Sequence, residues 1–105
     1  MKKLKMTDEL HFRQLSTTSY LYLQRIVTHF IDNPEDVTEP LTTLYVPIAK
    51  EFGVSIGAVT VGVRRSIDWS KDIIMKNCPS ITKETGTREI IVQLARLCEK
   101  EGWDF

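Results

Sequence analysis

Residues 45–64, YVPIAKEFGVSIGAVTVGVR, decide the fold that the sequence predicts. We place Pro47 in the first turn of a helix, where its missing N–H costs nothing, and Gly53 at the end of that helix, where the chain needs a positive φ. A small residue, Ala49, falls where a second helix crosses closely. The spacing predicts a helix-turn-helix, and the alternative is an ordinary helical hairpin.

The second helix of this pair is predicted to run from about Ile56 to Lys71. Val54 is expected to plug the bend, and Ser55 is placed to cap the helix. The side chains predicted to face the core are Ile48, Ala49 and Phe52 of the first helix, followed by Ile56, Val59, Val63, Ile67 and Ile74. The opposite face of the second helix then carries Gly57, Ala58, Val61, Arg64, Arg65 and Asp68. Trp69 falls at the edge of that face, to pack under the C-terminal helix or to serve an interface.

Apolar residues at helical intervals predict further helices on both sides of this pair. One runs from Ser19 to about Ile31 and ends at Asn33 and Pro34. The acidic DNPEDVTEP that follows is predicted to be a short solvated helix or loop, and NCPSITKETGT a connector with one short helical turn. Thr87 is placed to cap a last helix, which buries Ile91, Leu94, Ala95 and Cys98 and ends before Gly102. The predicted fold is all-α, a compact bundle of about five or six helices. Residues 1–18 are predicted to form an N-terminal arm or short helix. Residues 19–105 are predicted to form a single helical domain that contains the helix-turn-helix at about 46–71.

Composition limits the classes of partner. The 105 residues carry 14 Lys and Arg against 14 Asp and Glu, so a surface that binds polyanions must be local. Between Pro47 and Asp72 four basic residues stand against three acidic ones. Lys2, Lys3 and Lys5 are interpreted either as a solvated tail, the commoner role of a charged terminus, or as an auxiliary flexible basic arm. No apolar stretch approaches the roughly 18 residues of a membrane helix, so no membrane is expected. Cys78 and Cys98 are interpreted as reduced thiols of a cytoplasmic protein.

Four segments carry a resemblance to a known family. They are YLYL at 20–23, LY at 44–45, IAKEFGVS at 48–55 and RRSIDW at 64–69, with a weaker continuation in REIIVQLARL. Together they resemble the C-terminal DNA-binding effector domain of stage zero sporulation protein A, the response regulator of endospore-forming Firmicutes. The resemblance implies a six-helix domain that puts its recognition helix in the major groove of a TGTCGAA-type element, often as a head-to-tail pair. It implies a transcription regulator in sporulation, with double-stranded DNA as partner and a homodimer on DNA.

The candidate DNA-binding residues are Ser55, Ile56, Gly57, Ala58, Thr60, Val61, Arg64 and Arg65. Arg64 is the best candidate for reading a base, because an arginine grips guanine through two hydrogen bonds; Arg65 reads a base or clamps a phosphate. The sequence departs from the family at Ala58, Thr60 and Val61, where relatives present long polar side chains. Either the target differs or binding is weak, and apolar contacts to thymine methyl groups remain open.

A second departure concerns regulation. The family joins this effector to a receiver domain that is phosphorylated on aspartate, and about 18 residues precede the resemblance here. A stand-alone paralogue controlled by abundance or by a regulatory protein is one interpretation, and a segment of a longer chain is the other.

No pattern in the sequence predicts catalysis, a cofactor or a metal site. His11 and His29 lack Cys or carboxylate partners at ligand spacing, and no phosphate-binding loop or nucleophile elbow occurs. The chain is therefore not expected to be an enzyme. The alternative to DNA binding is a protein-interaction module on the same scaffold, with Gly57, Ala58, Val61 and Gly62 as a smooth helix face.

Overall fold

The computed structural model describes residues 4–12 and 17–105, and these residues form an all-α bundle. Its elements are α1 Met6–Glu9, α2 Thr17–Asp32, a 3-10 helix Pro34–Thr38, α3 Leu41–Phe52, α4 Ile56–Trp69, α5 Lys71–Asn77 and α6 Thr87–Glu101. The described residues contain no strand, and Lys5 and Asp104 form an isolated parallel bridge. The predicted fold class is confirmed.

Helix α2 lies at the centre of the bundle and packs against α4, α6, the 3-10 helix and α3. Its apolar stripe supplies much of the core: Tyr22, Leu23, Ile26, Val27 and Phe30. Helix α6 covers the other side with Ile90, Ile91, Leu94, Ala95 and Cys98, so the predicted buried face of the last helix is confirmed. Apolar residues that recur at helical spacing give each helix one continuous apolar face, and burial of these faces packs the helices around a common core.

The ends of α2 and α6 follow local sequence signals, with one shift. The helix predicted at Ser19 to Ile31 is α2, which begins two residues earlier and ends one residue later. The predicted cap at Thr87 is wrong: Gly86 occupies the N-cap position, and no side chain caps α6. Gly102 ends α6 in the left-handed conformation, at φ 70°. A glycine there pays no steric penalty for that φ.

The segment before α3 contains a short helix, whereas the segment before α6 contains none. The acidic segment contains the short helix that was predicted, Pro34–Thr38, and the Arg88 guanidinium donates to the carbonyls of Val37 and Glu39, which ties this 3-10 helix to the start of α6. The connector 79–86 forms turns and no helix, so the helical turn predicted there is wrong. Ile81 is nevertheless buried and anchors this connector in the core.

Residues 4–12 pack against the C-terminal residues. The Met6 N–H donates to the Asp104 carbonyl at 2.7 Å, and the Asp104 N–H donates to the Leu4 carbonyl at 2.9 Å. The Met6 side chain is fully buried, and the Phe105 ring stacks on Tyr20. Placing Lys5 in a flexible arm is therefore wrong, because its backbone is held in this pairing. Lys2 and Lys3 lie outside the described residues.

By length and apolarity, no single helix within residues 4–12 and 17–105 could cross a bilayer. Helices α3 and α4 meet that criterion only as a pair, across a bend of 101°.

Candidate nucleic-acid interface

Helices α3 and α4 meet at a sharp corner made by residues 53–55. The Val54 N–H donates to the Ala49 carbonyl at 3.0 Å, and the Gly53 N–H donates to the Lys50 carbonyl at 3.4 Å, so two carbonyls at the end of α3 are satisfied. Gly53 has φ 65°, the conformation predicted for it. The chain leaves α3 in a left-handed cap and enters α4 at 101° to its previous direction.

The start of α3 differs from the prediction. Pro47 lies inside the helix with its side chain exposed, and the first residue is Leu41, preceded by Pro40 as N-cap. Apolar residues at helical spacing extend the pattern upstream of the proline: Leu41, Leu44, Tyr45 and Ile48. Their packing on the core outweighs the one backbone hydrogen bond that a proline removes. As predicted, Ala49 and Ile48 are buried; Phe52 is partly buried.

The first turn of α4 is fixed by Ser55. Its Oγ accepts a hydrogen bond from the Ala58 N–H at 3.0 Å, and its backbone is extended, as an N-cap requires. The predicted cap is confirmed. The helix ends at Trp69, two residues before the predicted end, because Ser70 breaks it from α5; Ile74 is buried, but on α5.

One face of α4 is buried and contains Val59, Gly62, Val63, Ser66 and Ile67. This confirms Val59, Val63 and Ile67 as core residues. Ile56, predicted to face the core, is 38 % exposed, and Val54 does not plug the bend because it is 36 % exposed. Both precede Val59, where the covered part of α4 begins. Trp69 is 48 % exposed and does not pack under α6.

Gly62 was predicted on a smooth exposed face, and this is wrong. A Cβ built on Gly62 would lie 2.5 Å from Cδ2 and 3.0 Å from Cε2 of Tyr22, and 3.4 Å from the Ser19 Oγ. The glycine therefore allows α4 to approach α2 closely. Helical spacing places Gly62 beside the stripe of Val59 and Val63, and it places Gly57 on the opposite face. Gly57 is exposed and has only the Ser55 Oγ, at 3.7 Å, near such a Cβ.

The exposed face of α4 brings most of the predicted site residues together: Gly57, Ala58, Val61, Arg64, Arg65 and Asp68. At about 100° per residue, Val61 and Asp68 lie along the middle of this face, and Arg64 and Arg65 lie on either side of that line. Val61 is 46 % exposed. Thr60 is half-buried, and its Oγ1 donates to the Ile56 carbonyl at 2.9 Å, so its hydroxyl hydrogen already has a partner.

Arg64 and Arg65 lie on opposite sides of the exposed face of α4. Burial raises the pKa of the Tyr45 hydroxyl on α3 to about 12, and the positive charges of Arg64 and Arg88 oppose that rise. Arg64 is thus on the α3 side of the exposed face. Arg65 is on the other side, nearer the Gly62 contact with α2. The face has an apolar centre between two cationic edges.

An ion pair that sequence analysis missed adjoins this face. The Arg25 Nε donates to both Glu51 carboxylate oxygens at 3.1 Å, and its Nη2 donates to Oε2 at 2.9 Å. These hydrogen bonds hold the pKa of Glu51 below its usual value and raise that of Arg25. One of the three acidic charges counted near the helix pair is therefore compensated from α2. Local sequence does not predict this contact, because the two residues lie on different helices.

The other candidate groups form no second site among the described residues, where no cluster of three or more His, Cys, Asp or Glu could hold a metal ion. The His29 Nε2 lies 2.8 Å from the Asp36 Oδ2, which links α2 to the 3-10 helix. Cys78 and Cys98 are buried free thiols, as expected. Burial raises the pKa of both, that of Cys98 to about 12.

Comparisons with protein-family models, with curated proteins and with solved structures found no match.

Proposed function

We propose that this protein is a sequence-specific, double-stranded DNA-binding transcription regulator that inserts α4 into the major groove. The observation that carries the proposal is the exposed face of α4, which follows a 101° corner and presents Arg64 and Arg65. A helix that enters a groove needs one face free of the bundle and a preceding helix that turns away from it. The resemblance to the sporulation effector family gives the same assignment.

Each polar residue of the site has a role in this proposal. Arg64 reads a guanine through two hydrogen bonds, and Arg65 contacts a base or a phosphate. Ser55 lies at the exposed N-terminus of α4, where backbone N–H groups and the helix dipole favour a phosphate. Because Arg25 compensates Glu51, the charge near α4 is more favourable to a polyanion than the local sequence count indicates.

Fluorescence anisotropy of two labelled duplexes tests the proposal. One carries a TGTCGAA element and the other a scrambled sequence; each is titrated with wild type, Arg64→Ala and Arg96→Ala at about 50 and about 200 mM salt. Arg96 is the matched control, an exposed arginine on α6. We expect one duplex to bind more tightly than the other, with an affinity that weakens with salt and falls roughly 5- to 150-fold for Arg64→Ala, the equivalent of about 1 to 3 kcal/mol, while Arg96→Ala stays near wild type.

A second candidate function is favoured by the apolar residues exposed at the start of α4. Val54, Ile56 and Val61 are more than one third exposed, which suits a protein partner that packs on this helix. In that case Val61→Asp should dissociate an oligomer or a partner complex in analytical ultracentrifugation. If neither labelled duplex nor any duplex from a random library binds at low salt, the DNA proposal fails and this candidate replaces it.

A further inference from the structure

We propose that the apolar centre of the α4 face reads thymine C5-methyl groups, so that thymine is the base selected opposite Val61 and Ala58. This inference rests on the proposed DNA-binding function and specifies its target. DNA-binding helices usually recognise bases through hydrogen-bonding side chains, but the middle of this face carries a valine. Recognition of a methyl group accounts for that valine.

The chemistry of the major groove makes thymine the matching base. Among the base edges exposed there, the thymine methyl is the apolar group, whereas cytosine presents an amino donor at the corresponding edge. At C5 cytosine carries only a hydrogen, so Val61, which has no donor or acceptor in its side chain, loses its apolar contact when cytosine replaces thymine. Gly57 and Ala58 add little bulk on the same face, which leaves room for a close approach.

Charge complementarity identifies DNA as the occupant of this apolar surface. Arg64 and Arg65 flank Val61 on both sides, so the apolar side chain lies between two cationic ones, an arrangement that suits the anionic, base-bearing groove of DNA. Asp68 lies on the same line as Val61 but about 10 Å further along the helix axis. Its negative charge disfavours phosphate contact there, so the part of α4 that enters the groove runs from the start of the helix to Arg65.

The test uses duplexes selected from a random library by the wild-type protein. Each thymine of the selected site is replaced in turn by deoxyuridine, which removes the methyl group and keeps every hydrogen-bonding group. We expect one or two positions at which wild type loses roughly three- to fourfold in affinity per methyl group. Val61→Ala should bind the thymine duplex more weakly and discriminate less between thymine and deoxyuridine.

Two controls make the test specific. Leu4→Ala removes an exposed apolar side chain away from α4 and should keep the wild-type discrimination. In a duplex in which the sensitive T·A pair is replaced by C·G, methylation of that cytosine at C5 should restore part of the affinity, because it returns the methyl group to the groove.

Failure of the inference differs from failure of the proposed function. Tight binding that is unchanged by every deoxyuridine substitution would overturn methyl reading and leave the DNA-binding function standing. Equal sensitivity in wild type and Val61→Ala would show that another residue contacts the methyl group, and would overturn the role of Val61. If selection enriches no duplex, the function and the inference fail together.

Discussion

Replacing Gly62 by alanine should destabilise the protein, although alanine is the better helix former. The added methyl would lie 2.5 Å from the Tyr22 ring, closer than real Cβ contacts occur, so the ring must move by several tenths of an ångström. Tyr22 is 5 % exposed and packs edge-on against Phe52 at 5.1 Å between ring centroids, so its movement disturbs the contacts of α2 with both α3 and α4. Overpacking of this kind costs about 1 to 3 kcal/mol.

The higher helix propensity of alanine over glycine offsets about 0.5 to 1 kcal/mol of that destabilisation. The net expectation is a loss of about 1 kcal/mol in the free energy of unfolding, within a range of roughly 0 to 2.5 kcal/mol. Urea denaturation followed by circular dichroism measures it, with the slope unchanged if only stability is affected. The melting temperature should fall by roughly 4 to 8 °C per kcal/mol.

Gly57→Ala is the matched control on the same helix. Its methyl would have the Ser55 Oγ as its near neighbour, at an ordinary 3.7 Å, so only the helix preference acts and stability should rise by up to about 1 kcal/mol. A second control combines Gly62→Ala with Tyr22→Leu, which removes the ring and should shrink the penalty of the added methyl. If Gly62→Ala proves as stable as Gly57→Ala, the close approach of α4 to Tyr22 is refuted.

Three further predictions concern the cap, the ion pair and the thiols. Ser55→Ala removes the hydrogen bond to the Ala58 N–H and should lower the free energy of unfolding by about 0.5 to 2 kcal/mol in urea titrations, whereas Ser55→Asn or Ser55→Asp should keep most of it; no loss would show that the cap is not stabilising. Arg25 lowers the folded-state pKa of Glu51, so the pair stabilises the fold above the ordinary pKa of 4.5 and loses that contribution as pH falls through the lowered pKa. Any stability difference between wild type and Glu51→Gln should therefore shrink toward acid pH and not toward neutral pH. Burial raises the pKa of Cys98 to about 12 and raises that of Cys78, so stability should fall as pH rises above the ordinary thiol pKa of 9.0. A thiol reagent at pH 8 should label both cysteines much more slowly in the native protein than in denaturant. Fast labelling of the native protein would contradict their burial.

The parts of the fold that sequence predicts are those set by local chemistry. The positive φ of Gly53 and the cap at Ser55 follow from what these residues do with their own backbone. The buried stripes of α2 and α6 follow from helical periodicity. These signals need no knowledge of the neighbouring helices, which is why they place the corner between α3 and α4 correctly.

The parts that sequence did not predict depend on neighbours. Pro47 was expected to begin a helix, yet tertiary packing of the residues before it extends α3 upstream. Gly62 was grouped with Gly57 on one exposed face, but it lies against the Tyr22 ring of α2. The compensation of Glu51 by Arg25 joins residues 26 positions apart, and no periodicity encodes such a pair. These three differences therefore concern contacts between elements that lie apart in the sequence.

The division of α4 into two faces bears on the proposed resemblance to the sporulation effector family, whose long polar side chains are absent at Ala58 and Val61. Val59, Val63 and Ile67 carry the packing of this helix, whereas the departing residues Ala58 and Val61 are exposed. Exposed substitutions usually change stability by less than about 0.5 kcal/mol, so these positions can change what the helix contacts without changing whether it folds. An altered face on an intact helix is what a change of target sequence requires. The absence of long polar side chains at Ala58 and Val61 therefore argues for a different bound surface rather than for a damaged fold.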